Sequence, residues 1–334
     1  MEYRRLGRSS VRVSSLCLGC MNFGGRATEE DSIRIIRAAI EAGINFIDTA
    51  NVYGIGRSEE IVGKALAEGG RRDKVVLASK VTNDMGDGPN DRGSSRYHIR
   101  QQVEGSLRRL KTDRIDLYQL HRMDLATPLE ECLRAIDDLV RQGKVLYLGV
   151  SKWAPALTVE ALALADRYGW TKIVCEQPPY SLLDRRIENE MIWTCLRHGI
   201  GIIPWAPIGA GILSGKYAQD AVPAGSRFKA FNDRLTPAAV ERAEALKPLA
   251  AAKGVTLAEF ALAWVMRQPG ITAPIIGVRT MDQLTSALKA LDITFSDDDY
   301  RQINAIAPPG SAVSDYFDGN ISARLRQAVG IGKE

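Results

Sequence analysis

Four side chains suited to proton transfer stand at or just after the ends of short apolar runs that are typical of strands. They are Asp48, Tyr53, Lys80 and His121, and the runs before them cover 44–47, 75–79 and 115–120. A carboxylate, a phenol, an ammonium and an imidazole at consecutive strand ends are typical of a site that donates protons. None of the four is a strong nucleophile and their spacing follows no metal-ligand pattern. We therefore expect no metal at this site.

The four residue types suit the protonation of a carbonyl oxygen while a hydride reaches the carbonyl carbon. A tyrosine acts as a general acid near neutral pH when its pKa of about 10 is lowered. An ammonium about 4 Å away contributes at most roughly 4 kcal/mol, or about 3 pKa units. We expect Lys80 to lower the pKa of Tyr53 in this way, and Asp48 to keep Lys80 charged. His121 would orient the carbonyl, and the hydride has to come from a cofactor.

Each of the four residues also has a purely structural interpretation. Asp48 suits a loop or cap position, and Tyr53 suits a packed loop. Lys80 suits a solvated strand end, and His121, followed by an arginine, suits the surface. Taken singly, these interpretations are the simpler ones. Their coincidence at the ends of the second, third and fourth predicted strands favours a common site.

Strand and helix patterns alternate along the chain and predict one (β/α)₈ TIM barrel. The predicted strands are 16–19, 45–48, 75–79, 115–120, 145–150, 172–176, 200–205 and 273–276. The predicted helices are 29–42, 58–68, 96–110, 128–142, 155–168, 187–198, 237–252 and 280–290. A doubly wound sheet with a second domain is the alternative. The barrel is favoured because the first βα turn, 19–24, lacks the G-x-G-x-x-G fingerprint and polar residues recur at strand ends.

Further features complete the predicted barrel, which we expect to form a single domain over 1–334. Two alternating runs at 3–7 and 11–13 predict an N-terminal hairpin that covers the barrel floor. A long loop rich in glycine and proline follows the seventh strand at 207–236, and an extra helix over 297–306 precedes an irregular C-terminal tail. Thr127 before Pro128 predicts a helix cap. Gly143, Gly169 and Gly199 predict helix ends.

Composition and charge restrict the function classes. The net charge of +4, with acids and bases interspersed, gives no reason to expect a nucleic-acid partner. No apolar stretch approaches the roughly 20 residues that span a bilayer, and the N-terminus lacks the apolar core of a signal peptide. We therefore expect a cytoplasmic protein without a membrane partner. The five cysteines, including the pair Cys17 and Cys20 at a strand end, are interpreted as core residues.

With these residues identified, the chain resembles the aldo-keto reductase superfamily over nearly its whole length. The stretches that carry the resemblance are 47–54, 56–64, 117–121 and 143–151. It is most similar to the branch that contains potassium channel β subunits and their bacterial relatives, on the stretches 151–153, 176–181 and 205–217. The resemblance implies a (β/α)₈ barrel, NADPH bound across the carboxyl ends of the strands, and Tyr53 as the proton donor.

The resemblance also implies which residues bind the cofactor. Trp205 would stack on the nicotinamide, and Ser151 and Gln177 would hold its carboxamide. The segment after Trp205 would line the diphosphate through its backbone, with Lys216 and Arg227 beside it. Arg279 would pair with a 2′-phosphate, which favours NADPH while leaving NADH possible. The full set implied for the cofactor is Cys20, Met21, Asp48, Ser151, Lys152, Gln177, Trp205, Ala206, Pro207, Ile208, Gly209, Ala210, Lys216, Arg227, Gly277, Arg279 and Gln283.

Two positions depart from the family pattern. Ser286 and Ala287 stand where the family usually has a glutamate and an asparagine that contact adenine. Lys152 replaces the common asparagine after the strand-five serine, although this branch accepts a basic residue there. The first departure predicts a weaker grip on the adenine ring.

Three functions compete on this pattern. The first is an NADPH-dependent reductase of aldehydes or ketones, reversible to alcohol oxidation. The second is a cofactor-binding regulatory subunit of a membrane channel, but the channel subunits carry asparagine at the position of His121, so the full tetrad favours catalysis. The third, a barrel hydrolase or isomerase, lacks a nucleophile elbow, a metal cluster and a close carboxylate pair. The branch includes tetramers, so a homo-oligomer is compatible with the pattern.

The substrate is predicted only as a class. Apolar and aromatic residues with one basic edge would line its site and suit a hydrophobic or ring-bearing carbonyl. They are Met21, Phe23, Val52, Met85, Arg122, Met123, Trp153, Tyr316 and Phe317.

Overall fold

Eight parallel strands form one curved sheet. The computed structural model describes residues 1–217, 228, 232–314 and 321–331, with side chains described outside 321–324. After an N-terminal hairpin of β1 (Tyr3–Arg5) and β2 (Arg12–Ser14), the sheet is built from β3 (Cys17–Gly19), β4 (Phe46–Asp48), β5 (Val76–Val81), β6 (Ile115–Leu120), β7 (Val145–Val150), β8 (Ile173–Glu176), β9 (Gly201–Ile202) and β10 (Ile275–Ile276). The strand order is β10-β3-β4-β5-β6-β7-β8-β9, with one register shift between Leu148 and Gly149 on β7.

The two edge strands of this sheet meet and close it into a barrel. The backbone N–H groups of Thr272 and Ile275 donate to the carbonyls of Ile202 and Pro204, both at 2.8 Å. An isolated parallel bridge joins Ile202 to Ile271 at the same seam. The predicted (β/α)₈ barrel is confirmed, and all strand carboxyl ends therefore lie on one rim.

Helices follow the strands and cover the outside of the barrel. They are α1 (Glu29–Glu41), α2 (Arg57–Leu66), α3 (Arg96–Leu110), α4 (Leu129–Arg141), α5 (Pro155–Tyr168), α6 (Met191–His198), α7 (Pro237–Ala252), α8 (Leu257–Met266), α9 (Met281–Lys289), α10 (Asp297–Ile306) and α11 (Ile321–Ala328). Among the described residues no single helix is long and apolar enough to cross a membrane. By length and composition only the bent pair α7 and α8, which meet at 88°, passes as a broken span.

Several predicted boundaries were wrong. The predicted strand 200–205 is regular only over Gly201–Ile202, and the predicted helix 187–198 divides into a short 3₁₀ helix, Arg186–Glu188, and α6. Helices α8 and α11 were not predicted, and α11 lies in the C-terminal tail that was predicted to be irregular. The predicted cap Thr127 does not cap α4, because its hydroxyl donates to Asp124 Oδ2 at 2.7 Å and Pro128 takes the cap position. Gly169 and Gly199 do end α5 and α6 in left-handed conformation.

The hydrophobic core has two parts that the barrel wall separates. The larger part fills the layer between the outer faces of the strands and the helices. The smaller part fills the barrel interior and contains Leu6, Val13, Cys17, Phe46, Val76, Ala78, Leu117, Val174, Cys175, Ile203, Ala273 and Ile275. Two of these, Leu6 and Val13, come from the hairpin and its turn, which confirms that the hairpin covers the barrel floor.

Candidate active site

Every second residue of each strand faces the barrel interior, and these inward-facing residues are apolar near the floor and polar at the rim. On β4, Phe46 lies in the inner core and Asp48 follows it on the same face. On β5 the inner residues Val76 and Ala78 are followed by Lys80. On β6 the inner Leu117 is followed by Gln119 and then, just past the strand, by His121. The fold therefore brings the predicted residues to one place.

The ammonium group of Lys80 contacts two of the predicted residues, Asp48 and Tyr53, and the backbone of Thr49. Nζ donates to Asp48 Oδ2 at 2.5 Å, to the Thr49 carbonyl at 2.9 Å and to Tyr53 Oη at 3.2 Å. An ammonium has three hydrogens, so these contacts account for all of them. The side chain of Lys80 is completely buried, and its ammonium also lies 4.9 Å from the Tyr53 ring centroid. The oxygen of Tyr53 accepts from Lys80, which leaves the phenolic hydrogen for another acceptor.

A pair of glutamines holds the other oxygen of Asp48. Gln119 Nε2 and Gln177 Nε2 donate to Asp48 Oδ1 at 2.8 and 3.0 Å, and Gln177 Nε2 also contacts Gln119 Oε1 at 2.9 Å. All three side chains are buried. Gln119 was not predicted as part of the site. The signal that could have identified it is its inward position on β6, two residues before His121.

His121 lies against Tyr53 and contacts an asparagine that was not predicted. The two rings meet edge to face, with centroids 5.7 Å apart and an interplanar angle of 81°. His121 Nδ1 lies 2.8 Å from Asn83 Nδ2. Burial, together with the charges of Lys80, Lys152 and Arg122, holds the pKa of His121 well below its ordinary value. The imidazole is therefore neutral at neutral pH.

The pKa of Tyr53 moves in the direction opposite to the prediction. Burial raises it above its ordinary value, and the opposing effect of the Lys80 ammonium does not outweigh burial and the nearby Asp48 carboxylate. For Lys80, burial favours the neutral amine, but the attraction of Asp48 and Tyr53 prevails and raises its pKa. The ground state at neutral pH is thus an ammonium beside a protonated phenol. A proton donor requires this state before the reaction.

Among the described residues, several of those predicted to bind a cofactor lie on the same rim as the tetrad. Ser151 and Lys152 follow β7, and Gln177 follows β8. Trp205 lies past β9 and is tied to the extension of β8, because its N–H donates to the Pro178 carbonyl at 2.9 Å. Gly277 follows β10, and Asn22 Nδ2 donates to its carbonyl at 3.0 Å. Cys20 and Met21 follow β3, the former buried and the latter half exposed.

The segment after Trp205 has an unusual backbone. Ala206, Gly209, Ala210 and Gly211 all have positive φ, at 54°, 57°, 56° and 99°. Two of them are alanines, for which the left-handed conformation costs roughly 1–2 kcal/mol per residue. Successive turns of this kind aim backbone N–H groups to one side and form concavities that bind anions. Together with the exposed ammonium of Lys216, this segment fits the diphosphate of a dinucleotide.

Some of the other predicted residues make hydrogen bonds within the protein, and others lie outside the described residues. Ser151 Oγ donates to the Gln177 carbonyl at 2.8 Å. Gln283 Oε1 accepts from the Arg279 N–H at 2.8 Å, at the start of α9. Ser286 Oγ contacts Glu259 Oε1 at 2.9 Å, so this replacement for the usual glutamate serves helix packing. Arg227, Tyr316 and Phe317 lie outside the described residues.

Comparison with known proteins assigns the family. Residues 15–308 match the aldo/keto reductase family. The chain belongs to the aldo/keto reductase family. An uncharacterized oxidoreductase, YrpG, of Bacillus subtilis is 43% identical over 327 residues, covering 95% of this chain and 99% of that protein. A probable voltage-gated potassium channel subunit beta of Oryza sativa subsp. japonica is 38% identical over 302 residues, covering 88% and 92%.

A third relative carries the family name. Aldo-keto reductase AMT2 of Alternaria alternata is 37% identical over 333 residues, covering 89% of each chain. The predicted branch is confirmed by the mixture of an oxidoreductase and channel-subunit relatives. This aldo/keto reductase is thus an oxidoreductase by family.

The mouth of the site in this aldo/keto reductase has both apolar and cationic residues. Of the predicted substrate residues, Phe23, Met123 and Trp153 are buried, whereas Val52, Met85 and Arg122 are partly exposed. Lys152 has a positive φ of 56° and its charge, like that of Arg122, acts on His121. The five cysteines are free and buried. Burial raises the pKa of Cys17 and Cys20 well above the ordinary value, which makes them poor nucleophiles.

Proposed function

We propose that this protein is an NADPH-dependent reductase that transfers a hydride to the carbonyl carbon of an aldehyde or ketone, reversibly with the alcohol. The observation that carries the proposal is the set of contacts of Lys80. Its three hydrogens are directed to Asp48, Thr49 and Tyr53, so the Tyr53 oxygen accepts and its own hydrogen remains available. A partly buried phenol arranged in this way is a proton donor that waits for negative charge on a substrate oxygen.

Each residue of the tetrad has a distinct part in this proposal. Tyr53 donates its proton as negative charge develops on the carbonyl oxygen. Lys80 stabilises the resulting phenolate through the 3.2 Å contact, and Asp48 keeps Lys80 charged and in place. His121, neutral because of its lowered pKa, donates a hydrogen bond to the carbonyl oxygen and orients it. In alcohol oxidation the same groups act in reverse.

A nicotinamide dinucleotide would supply or accept the hydride. Trp205, Ser151, Lys152 and Gln177 would hold its nicotinamide end, with Cys20, Met21 and Asp48 close by. The segment 206–210, with Lys216 and Arg227, would hold the diphosphate, and Gly277, Arg279 and Gln283 the adenosine end. The planar guanidinium of Arg279 pairs well with a 2′-phosphate, which supports NADPH as the preferred cofactor over NADH.

A panel of aldehydes, ketones and alcohols, assayed with NADPH and with NADH, tests the proposal. We expect loss of nicotinamide absorbance with at least one carbonyl, faster with NADPH at low cofactor concentration. Tyr53→Phe should lower kcat by about 10²- to 10⁴-fold while cofactor binding, measured by calorimetry, is unchanged. Tyr97→Phe, at an exposed tyrosine, is the matched control and should keep full activity. An unchanged rate in Tyr53→Phe would reject Tyr53 as the proton donor.

The second candidate is a regulatory subunit that binds the cofactor without efficient turnover. The relative from Oryza sativa, named as a probable channel subunit, favours it. The full tetrad, including His121, favours the enzyme. Stable co-purification with a membrane protein, together with no turnover of any carbonyl or alcohol in the panel, would decide for the regulatory subunit.

We also propose that the protein acts as a single domain in the cytoplasm on a small-molecule substrate, without nucleic-acid or membrane partners. A homo-oligomer is compatible with this proposal. Sedimentation of the purified protein and fractionation of cells test these points. A protein that sediments as a monomer at all concentrations would exclude the homo-oligomer.

A further inference from the structure

The residue that follows β5 has a strained backbone. Thr82 has a φ of 110°, a region that β-branched residues rarely adopt. Two contacts hold it there. The Gly93 N–H donates to the Thr82 carbonyl at 2.9 Å, and Thr82 Oγ1 lies 3.1 Å from Ser94 Oγ. Strain of this kind persists only where the surroundings impose it, and it occurs most often at functional sites. The consequence here is the direction taken by the next residue, Asn83.

Asn83 is held from two sides as well. It is 9% exposed, and the loop that it begins is tied back by the bond from the Met85 N–H to the Asp91 carbonyl at 2.8 Å. The buried ring of His98, at the start of α3, contacts the Asn90 carbonyl at 3.1 Å. The Asn83 backbone therefore has little freedom. Its side-chain amide nitrogen lies 2.8 Å from His121 Nδ1, and its Oδ1 is buried without a hydrogen-bond partner among the described residues.

This contact bears on the tautomer of His121. A neutral imidazole carries one hydrogen, on Nδ1 or on Nε2, and the partner of one nitrogen decides which. With the amide turned as the structure has it, its nitrogen faces the ring and can only donate, so in this arrangement Nδ1 accepts and the ring hydrogen is on Nε2. An imidazole in this tautomer presents a donor to a carbonyl oxygen. In the other tautomer Nε2 would present a lone pair and repel that oxygen.

We propose that Asn83 is a positioning residue that fixes His121 in the tautomer with its hydrogen on Nε2. Its effect on turnover rests on the proposed reductase function, whereas its effect on the tautomer does not. The charged and titratable groups around His121 are Lys80 on β5, Tyr53 after β4, Lys152 after β7 and Arg122 beside it. These groups are unchanged in variants of Asn83, so the variants report on the amide itself.

Nitrogen-15 NMR of the cofactor-free protein is the direct test. The chain has three histidines, and His121→Asn identifies the signals of His121 by their loss. We expect the wild-type His121 to show a protonated Nε2 and an unprotonated Nδ1 at neutral pH. Asn83→Leu, of similar size but without a donor, should give a mixture of both tautomers. A wild-type Nδ1–H signal, which an amide turned by 180° would produce, overturns the proposal, and so does an unchanged tautomer in Asn83→Leu.

Asn83→Asp reverses the role of the side chain. A carboxylate accepts from Nδ1–H, so a neutral His121 loses its donor at Nε2 and regains it only when protonated. We expect a Nδ1–H signal at neutral pH, a raised pKa of His121, and a kcat at least about tenfold lower that recovers as the pH falls. Asn189→Asp, at an exposed asparagine, is the control and should match the wild type.

The outcomes separate the two proposals. If the wild type reduces no carbonyl but the NMR shows the Nε2–H tautomer with its dependence on Asn83, the proposed function fails and the positioning role stands. If the wild type is active and Asn83→Asp has a wild-type pH profile and tautomer, the positioning role fails and the reductase stands.

Discussion

Lys80 Nζ lies 2.5 Å from Asp48 Oδ2 in a pair that solvent scarcely reaches, with 0% and 3% of the two side chains exposed. A charge that loses its partner in such a place pays its desolvation without compensation. The pair therefore bears on the stability of the fold as well as on the proposed chemistry, and the two roles can be separated by substitution.

Either single substitution of the pair should destabilise the fold and abolish turnover. Asp48→Asn and Lys80→Met each leave one buried group without its partner, which typically costs about 3–5 kcal/mol of the free energy of unfolding. The double variant Asp48→Asn/Lys80→Met leaves no unpaired charge. We expect it to be more stable than the sum of the single effects predicts, yet as inactive as Lys80→Met. Urea unfolding with a double-mutant cycle measures the coupling, and additive losses would contradict the expectation.

Glu176 should make the stability of the fold decrease as the pH rises. Its side chain is completely buried at the end of β8. Oε1 accepts from the Trp153 N–H at 3.4 Å, and Oε2 has no hydrogen-bond partner among the described residues. Burial raises the pKa of Glu176 well above its ordinary value. The folded state then holds a proton that the unfolded state releases above a pH of about 4.3. The contribution of Glu176 to the free energy of unfolding is therefore fully present below that pH, and it is lost as the pH rises towards the raised pKa of the folded state.

Glu176→Gln should remove this dependence. The amide keeps an acceptor for Trp153 and cannot ionise. The free energy of unfolding of the variant, relative to that of the wild type, should therefore rise by about 1.4 kcal/mol per pH unit through that window. The measurement is the free energy of unfolding in urea at several pH values. Glu190→Gln, at an exposed glutamate, should follow the wild-type curve. Parallel curves for the wild type and Glu176→Gln would mean that Glu176 stays ionised in the fold.

Most of the barrel could be predicted because short apolar strands and amphipathic helices leave clear periodic signals. Helix α8 left none, because residues 257–266 are buried on almost every side and the apolar run has no polar face. Its usable signal was the capping box of Thr256 and Glu259, in which each side chain bonds the backbone of the other. The end of the seventh strand was overestimated because apolar residues continue past Ile202 into irregular backbone.

The convergence of Asp48, Tyr53, Lys80 and His121 on one rim could be predicted from residue type and position, but their amide contacts could not. Gln119 and Asn83 are neutral and common, so only the three-dimensional contacts with Asp48 and His121 distinguish them. The pKa of Tyr53 could not be predicted either, because it is a balance between burial and the opposed charges of Lys80 and Asp48. Sequence shows that the charges are present and does not show how far water is excluded.

Gly7 in the hairpin turn should not tolerate a side chain. It has a φ of 55°, and a Cβ there would lie 2.2 Å from the Val174 carbonyl oxygen and 2.7 Å from that of Gly199. Gly70 has a similar φ of 63°, but a Cβ would meet nothing within 4 Å. Gly70→Ala should therefore cost only the left-handed backbone, roughly 1–2 kcal/mol. Gly7→Ala should cost a further 1–3 kcal/mol or so, because the hairpin has to move off the barrel floor.

Urea unfolding of the two variants measures the difference. The comparison is informative because both substitutions add the same methyl group in the same backbone region. Equal losses would show that the hairpin adjusts freely and does not close the floor tightly.

Arg185 should be the main link between the segment after β8 and the C-terminal part of the chain. It is 4% exposed and bonds Glu188 through two nitrogens at 2.7 and 2.9 Å. It also donates to Asn304 Oδ1 at 2.7 Å and to the Ala307 carbonyl at 2.5 Å, and lies 4.9 Å from the ring centroid of Trp264. Its own N–H donates to the Ser311 carbonyl at 2.8 Å.

Arg185→Met should therefore lower the free energy of unfolding by about 3–5 kcal/mol, since it leaves Glu188 without its cationic partner and removes the donor to Asn304 Oδ1 and to the Ala307 carbonyl. Arg185→Lys keeps the charge but loses the planar fork, and we expect an intermediate loss. The control is Arg301→Met. Arg301 pairs with Asp298 at 3.1 Å, but 77% and 61% of the two side chains are exposed, so the loss should stay within about 1 kcal/mol. Limited proteolysis of the folded variants tests the same contacts of Arg185. Only Arg185→Met should expose the segment after residue 307 to cleavage. Equal stability of Arg185→Met and Arg301→Met would show that the backbone bonds alone hold that segment.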